Sequence, residues 1–220
     1  MIIAERKPLE EIKEMIKGYK NILNIGCGGC TSICLAGGQK EVNQLNAELT
    51  KENAELKIDS FVIERQCNYD FFVDLDEKAP KYDAILSMAC GAGVQFVAER
   101  YTSIPVFPAL NTVFCGVDRN VGWFEENCRT CGECVLGDTA GICPVTRCAK
   151  GIFNGPCGGT RIDGSCEVDP DTPCAWTDIF NRLTEQGRVD KIIEVKPPRL
   201  WQNQVRRTLI QEDYKARYAE

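Results

Sequence analysis

Thiol chemistry, more than apolar burial, limits what the segment from Cys128 to Cys174 can become. Eight cysteines fall in it: Cys128, Cys131, Cys134, Cys143, Cys148, Cys157, Cys166 and Cys174. Large apolar side chains are too few there to bury a core. Something else must hold the segment, and metal–thiolate bonds are the natural means. Cys128, Cys131 and Cys134 form a C-x2-C-x2-C run. This is the spacing of the first three ligands of a bacterial-type iron–sulfur site, where consecutive thiolates curl round one cube. Cys143 is followed by Pro144, as in the C-P that closes such runs. The interspersed glycines, among them Gly132, Gly158 and Gly159, suit a backbone that must wrap closely and turn with positive φ.

The chain has 14 cysteines and no histidine. What the cysteines mean depends on compartment. The opening stretch MIIAERKPLEEIKEMIKGYK is charged and amphipathic and lacks the apolar region of a secretory signal. No apolar run approaches the ~18 residues that a membrane span needs. A cytoplasmic protein with reduced thiols is expected, which favours metal over disulfides. The lack of histidine excludes mixed Cys/His zinc, His-ligated Rieske centres, and Ser-His or Cys-His catalysis. Iron–sulfur clusters or zinc held by four cysteines remain. A net charge of −6 argues against a nucleic-acid partner, which calls for a basic face.

Along the chain, Pro8 can open a helix carrying Leu9, Ile12, Met15 and Ile16, and Gly18 can end it. Asn21–Ile25 reads as a short buried strand leading into GCGGCTSICLAGG. Cys27, Cys30 and Cys34 therefore stand as C-x2-C-x3-C at a strand end and a helix mouth, where thiolates and cluster sulfurs find backbone donors. A thioredoxin-like C-x2-C is the rival, though it needs no Cys34. The stretch from Gln39 to Leu56 is polar and favours helix. Ile58–Ile63 is a second strand before Cys67, and Ala84–Met88 a third before Cys90. Gly91–Arg100 is a helix, and Ile104–Phe107 a fourth strand.

Strands alternating with helices predict an α/β fold: an open parallel sheet with flanking helices. A cysteine-rich, metal-organised region and a helical tail follow. The expected divisions are 1–116 for the α/β domain, 117–187 for the cysteine-rich domain and 188–220 for a charged tail that could meet a partner. Cys27, Cys67 and Cys90 would lie just past strand C-terminal ends, the edge where open α/β sheets hold ligands. A first site of Cys27, Cys30 and Cys34 is expected to take its fourth thiolate from Cys90, with Cys67 as the alternative. Cys115, among apolar neighbours, reads as a core thiol. Neither G-x-G-x-x-G nor a P-loop occurs. Ala175–Gln186 reads as a helix with Trp176, Ile179, Phe180 and Leu183 on one face. Leu200–Tyr218 is a last amphipathic stretch.

The eight clustered cysteines suffice for two four-ligand sites, but spacing does not divide them, because the fourth cysteine of such a run can serve another cluster. Two or three [4Fe-4S] clusters, or clusters together with Zn, fit the count. Lys150 and Arg147 stand where they could tune a cluster or meet a partner; an ordinary surface charge is the plainer account. A redox-inert zinc module that only positions a partner is the rival reading. A stand-alone thiol oxidoreductase using Cys27 and Cys30 is a third.

The pieces CPVTRCAKG, NGPCGG, GSCEV and CAW, together with GCGGCTSICLAGG, carry a resemblance. The chain resembles the small cysteine-rich (MetV-type) subunit of the two-subunit methylenetetrahydrofolate reductases of acetogenic and related anaerobic bacteria. The resemblance implies an electron-transfer and docking subunit. Its partner would be a flavin-containing, barrel-shaped catalytic subunit that reduces methylene- to methyl-tetrahydrofolate, with further electron-donor subunits in larger assemblies. No flavin or folate motif occurs in this chain, which agrees with those ligands belonging to the partner.

Overall fold

Apolar side chains alternate sides along the strands, and that alternation builds the first of the two units into which the chain divides, Met1–Glu126 and Asn127–Glu220. The computed structural model describes residues 1–53, 55–198 and 207–218. In chain order the first unit holds β1 (Ile2–Arg6), α1 (Leu9–Met15), β2 (Asn21–Cys27), α2 (Cys30–Ile33) and α3 (Gln39–Glu52). Then come β3 (Lys57–Ile63), α4 (Val73–Lys78), β4 (Ala84–Met88), α5 (Gly91–Arg100) and β5 (Val106–Pro108). β6 (Leu110–Asn120) and β7 (Trp123–Cys128) close the series, the last two residues of β7 falling in the second unit.

Four strands form a parallel sheet in the order β3-β2-β4-β5. β2 is buried from Ile22 to Cys27, and β4 along its whole length. Such strands need helices on both faces, and they have them. Ile22, Ala84, Leu86 and Met88 pack with Ile12 of α1 and with Val42, Leu45 and Leu49 of α3. Leu23, Ile25 and Ile85 point the other way, to Leu75 of α4 and Val97 of α5. Mixed α/β architecture with a parallel sheet and flanking helices is thus as the periodicity predicts.

Two features were not predicted. β1 is a strand, and it pairs antiparallel with β6, Ile2 opposite Cys115 and Arg6 opposite Leu110. β7 adds to the other side of β6, giving a second sheet in the order β1-β6-β7. Ile3 and Ala4 of β1 join the same apolar cluster as α1 and α3. The fourth parallel strand begins at Val106, later than Ile104.

The second unit has little regular structure: α6 (Pro144–Arg147), α7 (Ala175–Glu185), α8 (Asp190–Ile193) and a 3-10 helix, Glu212–Arg217. Its apolar cluster is small, with Ala140, Ile142, Trp176, Ile179 and Leu183 buried. Two isolated antiparallel bridges, Thr160↔Cys166 and Ser165↔Pro173, tie the loop before α7. Of the expected helical tail, Leu200, Trp201 and Val205 lie outside the described residues.

Candidate metal centres

The strand order fixes where the parallel sheet offers a site. The chain leaves β2 for β3 on one side and returns to β4 on the other, so the strand order switches between β2 and β4, and their C-terminal ends are where such sheets hold ligands. Cys27 is the last residue of β2, Cys67 lies on the loop after β3, and Cys90 precedes α5. Gln66 anchors this edge. It is fully buried, its Nε2 donates to Ile25 O at 2.9 Å, and its Oε1 accepts from Ser87 Oγ at 2.6 Å. A β carbon on Gly93 would lie 3.0 Å from the Cβ of Gln66 and 2.8 Å from that of Ala89, so the first turn of α5 rests on Gln66. Cys27 Sγ lies 3.9 Å from Glu64 O. The Cys67 thiol is pushed up by burial first and then by the negative charges of Cys90 and Cys27.

Cys34 is turned elsewhere. Its sulfur accepts from Ala4 N–H at 3.5 Å and lies 3.6 Å from the carbonyl oxygens of Ala4 and Thr31. It belongs to the apolar cluster beneath β1, and burial raises its pKa. Cys30 opens α2 and is half-buried. Cys115 is half-buried on β6, opposite Ile2 of β1. The structure therefore brings Cys27, Cys67 and Cys90 to one edge and points Cys34 to β1.

In the second unit, Cys148, Cys157, Cys166 and Cys174 line one small cavity with Arg147, Lys150, Gly159 and Trp176. Backbone bonds fold the loop to that end. Cys166 N–H reaches Thr172 O at 2.9 Å, Cys174 N–H reaches Gly164 O at 3.0 Å, and Glu167 N–H reaches Gly159 O at 3.1 Å. Donors converge on the sulfurs. Gly159 N–H points at Cys157 Sγ at 3.4 Å, Lys150 Nζ lies 3.7 Å from the same atom, and Thr160 Oγ1 lies 3.0 Å from Cys174 Sγ. Burial works to raise the Cys174 pKa, but bonds from Thr160 and Thr177 and from the amides of Thr177 and Trp176 outweigh it. Its thiol is held below the ordinary range. Lys150 also pairs with Glu167.

Cys128 repeats one of these local devices. The amide of the residue two positions on, Thr130, donates to its sulfur at 3.3 Å, as the amide of Gly159 does for Cys157. Both turns use a positive φ, 51° at Thr130 and 79° at Gly158. Cys131 Sγ lies 3.8 Å from Glu133 O, and Cys134 is exposed. Cys143 and Cys148 flank α6. Among the described residues, no three Cys, Asp or Glu side chains close on a single ion-sized point. What the fold supplies is two thiol assemblies, one along the C-terminal edge of the parallel sheet and one around a cavity. All-thiol sets, in the second unit with N–H and O–H donors aimed at sulfur, fit an iron–sulfur cluster or zinc chemically.

Gln66, Ser87 and Gly93 were not singled out from the sequence. One signal was available: Ser87 is a lone hydroxyl inside the apolar strand AILSM, and a buried hydroxyl needs a partner.

Among the described residues no helix is long and apolar enough to cross a membrane. No curated protein and no solved structure matches the chain. Residues 107–202, which include all eight clustered cysteines, match the model of the family described as methylene-tetrahydrofolate reductase C terminal, and this similarity links the chain to methylene-tetrahydrofolate reductase.

Proposed function

We propose that this chain is the iron–sulfur electron-transfer subunit of a methylenetetrahydrofolate reductase, passing electrons to the flavin of a separate catalytic subunit. One observation carries the reading. Within the segment similar to the reductase family, four cysteines line one cavity with hydrogen-bond donors aimed at their sulfurs. In this reading Cys148, Cys157, Cys166 and Cys174 hold one cluster, and Cys128, Cys131, Cys134 and Cys143 supply a second. When bound, such clusters carry one electron at a time, so two transfers provide the pair that, with two protons, turns the methylene group into a methyl group. The donor would be a low-potential electron carrier or an NADH-oxidising subunit.

The chain's own residues set the terms of that transfer. Thr160, Gly159 and Lys150 donate toward thiolate sulfur, which offsets its charge and raises the potential of whatever it ligates. No residue here is asked to make or break a carbon bond.

A second reading has its own support. The loop that carries Cys157, Cys166 and Cys174 is pinned by isolated bridges rather than by a core, as in small zinc-knit modules. Zinc there would stabilise a docking subunit without a redox role.

The test is to purify the full chain without oxygen and measure iron, sulfide and zinc. Reduction of the flavin in the catalytic subunit is then followed with and without the chain. About eight irons with matching sulfide, or about twelve where the thiols of the first unit hold a cube as well, and chain-dependent flavin reduction, are expected. Zinc alone, with flavin reduction unchanged by the chain, removes the electron-transfer reading and leaves the docking one.

A further inference from the structure

We infer that Cys27, Cys67 and Cys90, with Cys30 as the fourth thiolate, form a separate metal site at the C-terminal ends of β3, β2 and β4. Gln66 is its positioning residue, and Cys34 is a core thiol outside it. That the group held is a [4Fe-4S] cube rests on the iron–sulfur reading above; the ligand set does not.

The topology does the gathering. Cys27, Cys67 and Cys90 lie at or just beyond the C-terminal ends of three neighbouring parallel strands, on the edge where such sheets hold ligands at a switch in strand order. Loops at such an edge are not held together by the ladder, so something must fix them. Gln66 does this with both ends of one buried amide, bonding the backbone of β2 at Ile25 and the hydroxyl of Ser87 on β4. The residue after it is Cys67. Gly93 lets the first turn of α5 close on the same side chain, which brings Cys90, at the start of that helix, to the same place. A β carbon on Gly29 would meet Cys27 Sγ at 3.7 Å, so that sulfur lies beside the residue preceding Cys30. Spacing alone makes Cys34 the partner of Cys27 and Cys30. The fold instead sinks its sulfur against the backbone of β1.

The test uses the full chain, made without oxygen, with iron and sulfide per chain and the electron paramagnetic resonance of the reduced protein as readouts. Cys67→Ser is expected to lose about four irons, and Cys34→Ser none. Cys157→Ser is expected to lose iron while keeping the resonance that Cys67→Ser abolishes. Gln66→Met, which keeps the bulk but neither bond, is expected to release the Cys67-dependent iron to a chelator about tenfold more readily, with the Cys157-dependent signal unchanged. Gln66→Glu keeps the Ser87 bond and is expected to restore most of the retention. A merely structural role for Gln66 would lower the melting temperature and leave the resonance and chelator release alone, and that result overturns its assignment. Equal iron loss in Cys34→Ser and Cys67→Ser overturns the ligand set. Should Cys157→Ser lose metal while Cys67→Ser loses none, this inference falls and the proposed function stands. If the wild-type chain holds zinc and no iron, the cube falls with that function. The ligand set is then judged on zinc: one lost in Cys67→Ser and none in Cys34→Ser upholds it, and the reverse overturns it.

Discussion

The two units use the same residue type for opposite purposes. In Met1–Glu126, two apolar clusters cover both faces of the parallel sheet, and Ile22, Leu23, Ile25, Ile85, Leu86 and Met88 are almost wholly buried. Cysteine there is an accessory: Cys34 fills space, Cys115 sits on β6, and Cys27, Cys67 and Cys90 lie at strand ends that the core already positions. In the second unit the apolar cluster has five buried members, and most cysteines lie on loops. In the proposed reading cysteine is the framework there. A core built from many weak contacts tolerates the loss of any one thiol, whereas a loop held by four ligands would not.

Metal removal tests that contrast most severely. Stripping the anaerobic protein with a chelator is expected to release the stretch from Cys128 to Cys174 to fast amide exchange, since ligand binding there is worth on the order of 10 kcal/mol of folding energy. Ile22–Cys27 and Ala84–Met88 are expected to stay protected. Equal protection before and after stripping would show that the second unit has a sufficient core of its own.

The reverse experiment attacks the other unit. Leu86→Ala leaves a cavity between the sheet and its helices and is expected to cost about 2–5 kcal/mol in a denaturant titration. Metal content should not change. A loss of metal in step with stability would mean that the units do not divide the labour as described.

Gly26→Ala probes the close packing of β2. The added methyl would lie 2.7 Å from Val62 Cγ2, 2.8 Å from Val42 Cγ2 and 2.9 Å from Gly37 O. A destabilisation of about 1–3 kcal/mol is expected, because strand and helix must both shift. A neutral result would mean that this face is looser than its burial indicates.

The smallest effect is electrostatic. Hydrogen bonds from Arg100, at 3.1 and 2.8 Å, and then from Tyr101, at 2.8 Å, hold the Asp76 carboxyl below the usual carboxylate range. A depressed carboxylate stabilises the fold above its unfolded pKa of about 4, and that stability is lost as pH falls through the lower folded value. The pair is more than a third exposed, so Asp76→Asn is expected to cost at most about 1 kcal/mol near neutral pH, less in high salt. Wild type and variant should converge in acid. A gap that widens on acidification would reverse the sign of this argument.

Some of this was legible before folding and some was not, for physical reasons. β4 and α5 are recognisable because their patterns are local: AILSM is a run of apolar residues interrupted by Ser87 alone, and the helix follows at once. β1 was hidden because IIAER runs straight into a charged helical pattern, and its partner on β6 lies far along the chain. The site residues divide in the same way. Strand alternation brought Cys27, Cys67 and Cys90 into view at one edge. The burial of Cys34 depends on where β1 lies, which no spacing encodes. Likewise the grouping of Cys148 with Cys157, Cys166 and Cys174 depends on the bridges at Thr160 and Ser165, which carry no motif.

The pairing of Ile2 with Cys115 also sets an order of events. During synthesis β1 leaves the ribosome long before its partner strand exists, and the pocket that shelters Cys34 stays unroofed until β6 arrives. Closing so distant a pair is slow compared with forming α1 or α3. The thiol of Cys34 is thus made early and enclosed late, while the cysteines from the end of β7 onward appear only when the first unit is nearly complete. A nascent chain would offer its thiols to the metallation machinery in two instalments, and oxygen or stray zinc would find the first one open the longest.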